Sequence, residues 1–466
     1  MREMSKNSAD KMGSMPVSKL LISMSLPMMI SMLIQALYNV VDSIFVAMIN
    51  ENALTAVSMA FSMQTLMVAV VGGIGVGINA LLSRSLGEKN KKLASLAATN
   101  GIFLGVIAYI LFLIVGLFLV KPYYVFQTGD AASQITQYGT EYLVCVLVCS
   151  FGMVLQMLFE RLLISTGRTL YSMITQATGA VINIIFDPIL IFGWWIFPKM
   201  GVLGAAAATV LGQCVAAVLA IIFNIRLNHD ISLSFSKFRP DKSTIKTILS
   251  VGVPSMIMQA IGSVMTFTFN KILIWFSSTA VAVFGVYFKI NSIVFMPVFG
   301  LNNGMVPIVA YNYGARNRNR MMKTVKYSII YAVTLMSIGT AIIEIIPDKL
   351  LLMFNASQMM LAIGVPALRI ICACFPFAGC AIVLSSLFQA LGHGVYSMMV
   401  SLVRQLFVLI PSAFVLAYIG KTMGDNVNFI WWSFIIAEVF AITLSIVFFK
   451  RLHKKEIAPI PEGAEI

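Results

Sequence analysis

Gly167-Arg168-Thr169-Leu170-Tyr171-Ser172-Met173 returns 225 positions later as Gly392-His393-Gly394-Val395-Tyr396-Ser397-Met398. Nearer the N-terminus the matched positions are 227 apart: Pro27 falls on Pro254, Phe61 on Phe288, Gly73 on Gly300, Gly77 on Gly304, Gly87 on Gly314 and Asn90 on Asn317. A drift of two positions is one small indel, so the chain is a duplication. Its halves are too long to be solenoid repeats. They read as two lobes of one machine.

The 466 residues are 59% hydrophobic and only 11% charged, with a mean hydropathy of +0.92. Soluble domains carry roughly 25% charge, so the expected class is an all-α polytopic membrane protein. Twelve apolar stretches are long enough to cross a bilayer. They lie at roughly 20–48, 54–82, 93–120, 136–160, 170–195 and 201–225, then 247–276, 280–310, 326–346, 359–389, 396–419 and 428–449. Six spans per half is an even number. Both lobes therefore enter from the same side and are related by a pseudo-twofold axis along the membrane normal. The expected divisions are an N-terminal segment 1–19, an N-lobe 20–225, a linker 226–246, a C-lobe 247–449 and a tail 450–466.

Loop charge sets orientation. Loops on one side, with both termini, hold 24 Lys and Arg, from Arg2 and Lys6 through Lys237 to Lys455; the other side holds Lys121, Lys199, Lys349 and Lys421. Both termini are expected in the cytoplasm, and the first span is expected to stay in the mature protein. The net charge of +14 is then topology rather than a nucleic-acid surface. The six cysteines all fall in spans and read as small packing residues, and Cys372-x-Cys374 lacks the companions of a zinc site.

With charge so scarce in the spans, each intramembrane ionisable group is a functional candidate. Asp42 shares a helical face with Asn39 and Gln35, a polar stripe that could line a substrate cavity. In the fifth span Asn183 and Asp187 are four apart and precede Pro188, which cannot close its helical hydrogen bond. Carboxylate, amide and freed carbonyl oxygens are the hard ligands a small cation needs, so Asp42, Asn183 and Asp187 could hold Na+. Packing carboxyls, protonated or hydrogen-bonded, are the plainer reading. The repeat does not copy them, because Asp42 falls on Phe269 and Asp187 on Ser412. The C-lobe spans instead carry Lys271, Lys289, Arg369 and Arg404, with Glu344 and Glu438 available as partners. These basic residues, and Glu160 beside Arg161, read either as ion pairs or as a gate or C-lobe cavity. Pro27 is a candidate hinge in the first span.

Leu26-Pro27, Gly87-Glu88-Lys89-Asn90, Gly314-Ala315-Arg316-Asn317 and Asn183-Ile184-Ile185-Phe186-Asp187-Pro188, on duplicated six-span lobes, resemble the multidrug and toxic compound extrusion (MATE) family. The likeness covers nearly the whole chain and is nearest to the branch of DNA-damage-inducible-type and staphylococcal-type multidrug exporters. It implies a transporter, not an enzyme, that exchanges organic and mostly cationic drugs or toxins for H+ or Na+. It also implies a cation-coupling site at Asp42, Asn183 and Asp187, with Thr209 as the sixth-span hydroxyl. Where many members carry Asn near the end of the fourth span, this chain reads Phe159-Glu160-Arg161.

Two other classes compete. A lipid-linked precursor flippase of the same superfamily would usually have fourteen spans and a cationic N-lobe cavity. An intramembrane enzyme would need a nucleophile or metal constellation, yet the three histidines, His229, His393 and His453, lie in loops or the tail. The expectation is a monomeric multidrug antiporter working by alternating access in contact with membrane lipid, needing no cofactor beyond its coupling ion.

Overall fold

The computed structural model describes residues 8–233, 238–354 and 356–462. Parts of the N-terminal segment (1–7, with Arg2 and Lys6), of the linker (234–237, with Lys237) and of the tail (463–466) lie outside the described residues. Among the described residues the regular structure is helical throughout.

Among the described residues ten helices are long and apolar enough to cross a membrane, and two bent pairs bring the number to twelve when each pair is counted as one span. In the first half these are Val17–Ala47, Glu51–Gly87, Lys91–Phe118, the pair Gln134–Val148 and Phe151–Ser165, Thr169–Phe192 and Val202–Leu227. In the second they are Lys242–Leu273, Ser278–Gly314, Arg318–Ile345, the pair Gln358–Cys372 and Phe375–Ala390, Gly394–Thr422 and Asn428–Ile457. The chain is thus a multi-pass integral membrane protein.

The fourth and tenth spans bend by 46° and 48°, a feature hydropathy does not carry because the pieces on both sides of the bend are apolar. Pro376, in the first turn of Phe375–Ala390, cannot continue the ladder of the piece before it. The eleventh span has its own irregularity, a π-helical stretch Val403–Leu409. The first span, by contrast, runs as one helix through Pro27.

The duplication extends to individual backbone hydrogen bonds. Helix starts leave N–H groups unpaired, and side-chain oxygens of Asn50, Asn90 and Ser133 accept from Ala53, Leu93 and Thr136. Ser277, Asn317 and Ser357 do the same for Ala280, Arg320 and Met360. Replacing such a cap by Ala costs about 1 kcal/mol. At the corner after the fourth span Gly167 has φ +80°, and Arg168 N donates to Leu163 O at 2.8 Å. At the corner after the tenth, Gly392 has φ +87°, and His393 N donates to Phe388 O at 2.8 Å. Glycine is required at both corners because an L side chain is strained at such φ.

The chain forms two compact units. One comprises the chain up to Met12 together with Ile30–Val253; the other comprises Gly13–Met29 and Pro254–Ile466. The first and seventh spans each contribute to both, changing unit two residues after Pro27 and at Pro254 itself.

Candidate functional site

The site forms inside the first unit, where small residues let helices approach. Lipid tails are as apolar as leucine, so helices in a bilayer associate through close packing and polar contacts rather than water exclusion. The sixth span opens Val202-Leu203-Gly204-Ala205-Ala206-Ala207-Ala208-Thr209. A Cβ on Gly204 would sit 2.6 Å from Leu190 O, and one on Gly212 would sit 2.6 Å from Gly179 O. The fifth and sixth spans therefore touch backbone to backbone at both levels, and Thr209 is pressed onto the face that carries Asn183 and Asp187.

Asn183, Asp187 and Thr209 are 3%, 0% and 8% exposed, deep enough that their polar atoms must find partners within the protein. Asn183 Nδ2 donates to Thr209 Oγ1 at 3.2 Å and to Asp187 Oδ1 at 3.4 Å. From the first span Asp42 arrives half-buried, its carboxyl within electrostatic reach of that of Asp187. Three oxygens at this point, Asp42 Oδ1, Asn183 Oδ1 and Asp187 Oδ2, are buried without a hydrogen-bond partner. Buried polar groups are rarely left so. A cluster with three free acceptor oxygens suits a small cation.

Around this core the structure adds residues that sequence reasoning missed. Tyr38 and Tyr142 lie within electrostatic reach of both carboxyls, and Gln64 Nε2 donates to Tyr142 OH at 3.3 Å. Tyr38 precedes Asp42 by one helical turn, so the i, i+4 rule could have found it; nothing local marks Tyr142 or Gln64. Gln35 ties the first span to the fifth by a separate hydrogen bond, its Oε1 accepting from Gln176 Nε2 at 3.3 Å. Asn39, from the same polar stripe, is exposed.

The other candidates are placed elsewhere. Glu160 is buried, and its Oε1 accepts from Gln156 Nε2 at 3.1 Å and Thr175 Oγ1 at 2.9 Å. Lys271, Lys289, Arg369 and Arg404 belong to the second unit. Arg369 pairs with Glu344 at 3.7 Å and Arg404 with Glu438 at 3.5 Å, while Lys271 and Lys289 lie over the rings of Phe267 and Phe354, each 5.6 Å from the centroid. Phe269, the repeat counterpart of Asp42, is fully buried and packs at 5.2 Å on Phe434, the counterpart of Thr209. An aromatic contact replaces the polar cluster there. Among the described residues no group of three or more His, Cys, Asp or Glu gathers as a metal site, so any ion held at Asp42 and Asp187 depends on amide and hydroxyl oxygens as well.

The MatE family profile matches residues 27–189 and again 254–415, two copies whose starts are 227 positions apart. Multidrug export protein MepA of Staphylococcus haemolyticus is 24% identical over 423 residues, and that of Staphylococcus saprophyticus 25%; each alignment covers 91% of either chain. Among solved structures, an outward-facing multidrug resistance MATE family transporter of the MOP superfamily superposes with a TM-score of 0.89 at 23% identity, covering 97% of this chain and 99% of that one. A MOP superfamily transporter from Pyrococcus furiosus, described as having a binding pocket of reversed polarity, gives 0.87 at 23% identity, covering 98% and 99%. At this identity the likeness is one of fold.

Proposed function

The chain belongs to the MatE family, and from that premise we propose that it is a secondary active multidrug exporter, exchanging organic, mostly cationic and amphipathic compounds for H+ or Na+. It is a transporter and not an enzyme. The observation that carries the coupling assignment is the set of three unpartnered buried oxygens on Asp42, Asn183 and Asp187, the two carboxyls lying within electrostatic reach of each other. Such a cluster is costly in hydrocarbon unless a cation compensates it.

In this reading the cation enters at Asp42 and Asp187, with Asn183 and Thr209 orienting the oxygens. Its binding disfavours the drug-loaded outward state, and Pro27 is the hinge that passes the change along the first span. A ligand shifts such an equilibrium only by its differential affinity for the two states. The Lys and Arg asymmetry supports cytoplasmic termini in the bacterial cytoplasmic membrane, and the protein acts as a monomer. Vesicles loaded with dye and given a proton gradient alone, or a sodium gradient alone, test the assignment. Efflux driven by one of them, and lost in Asp187→Asn, is expected; efflux indifferent to both gradients overturns it.

A further inference from the structure

Both halves end in a strap that runs back over the corner between the fourth and fifth spans of that half. In the first half the strap is the segment just past Val202–Leu227. Its Asp230 takes Arg168 of the corner in a 2.6 Å ion pair with both side chains buried, and Ser232 N donates to Ser95 Oγ near the start of the third span. In the second half the strap begins in the π-helical turn His453–Ile457. Its Glu456 meets His393 of the corner at 2.9 Å, and farther on Pro461 O and Glu462 O accept from Arg318 N and Asn319 N, at the start of the ninth span. Arg168 and His393 are repeat partners 225 positions apart, so one device has been built twice with different cations.

The difference is chemical. Arg168 is charged at every physiological pH, and its Nε also holds Leu227 O at 2.9 Å. Histidine changes charge between pH 5 and 8. The groups around His393 are Glu456 and, on the same carboxylate oxygen, Tyr313 OH at 3.2 Å, with the Tyr396 ring stacked at 5.4 Å. The strap's own charges nearby are His453, Lys454 and Lys455, and Arg318 pairs with Glu462 at 3.9 Å. His393 and Glu456 are each only partly covered, 33% and 23% exposed, so protons reach them.

We propose that the second strap is a proton-operated fastening, in which charged His393 holds Glu456 and neutral His393 lets the strap loosen, whereas Arg168 keeps the first strap closed at all pH. The sign follows from the pairing. A charged ring binds a carboxylate more strongly than a neutral one, so the fastening is complete at low pH and weakens as pH rises.

Amide hydrogen exchange of the segment 450–462 in the full-length protein, with each variant compared to the parent at the same pH, tests this without reference to drug coupling. His393→Arg should match the parent at pH 5.5 and exchange roughly five-fold more slowly at pH 8, the factor expected of a partly exposed ion pair. His393→Gln keeps a donor but no charge, and at pH 5.5 should exchange faster than the parent by a similar factor. Arg168→His should make exchange of the segment 228–233 pH-dependent in turn. If His393→Arg perturbs folding, the glutamine variant decides alone. A parent and a His393→Gln variant that exchange alike at pH 5.5 overturn the proposal.

Discussion

Asn183 and Thr209, on different helices, are joined by a 3.2 Å hydrogen bond that exists because Gly179 and Gly212 have no side chains. Gly212→Ala would place a methyl group 2.6 Å from Gly179 O and 3.3 Å from Asn183 Cβ. Backbone must move to accept it, at about 1–3 kcal/mol for overpacking. A lower melting temperature in detergent together with weaker drug export is expected, although no oxygen of the site is altered. Unchanged melting and export would show that the two helices do not need this close approach.

Asp42→Asn and Asp187→Asn keep shape and remove charge. Each should bring gradient-driven efflux to background while the purified protein remains monodisperse and inserted. Full coupled transport by both variants removes these residues from the coupling site.

The ion pair of Arg168 and Asp230 is a different case, because both side chains are nearly inaccessible, at 3% and 6% exposure. Arg168→Ala strands a buried carboxylate, for which a loss of about 3–5 kcal/mol is typical. The double variant Arg168→Ala with Asp230→Ala should recover part of that loss. Equal melting temperatures for the single and double variants would mean the stranded charge is not what destabilises the protein.

Topology can be read with a membrane-impermeant thiol reagent. Cysteine at position 317 should react only from the cytoplasm, and cysteines at 51 and 424 only from outside. Reaction of position 317 in intact cells contradicts the parallel arrangement of the halves.

Substrate charge follows from the asymmetry of the two units. Asp42 and Asp187 face no basic residue among the contacts described for them, whereas Arg369 and Arg404 already have Glu344 and Glu438. An unneutralised acidic cluster in low dielectric attracts cations. Of two dyes that differ only in the sign of their charge, the cationic one should be exported faster. Equal or faster export of the anion would favour a flippase-like function.

The sequence by itself determined the duplication, the number of spans and the helical face on which each acidic residue lies. Glycine corners, capping residues and runs of hydrophobicity act over a few residues, and their spacing can be read directly. It also singled out Asp42 and Asp187, since charge in hydrocarbon is conspicuous, and Asn183 by its spacing of four from Asp187. Only the tertiary structure decided that Asp42 comes within electrostatic reach of Asp187, that Tyr142, held by Gln64, stands near them, that the fourth and tenth spans bend, and that Arg404 is matched to Glu438. These depend on how closely helices approach, at Gly179 and Gly212 above all. Apolar side chains gain little by choosing one helical neighbour over another or over lipid, so partners are selected by packing shape and polar pairing, which no local pattern records.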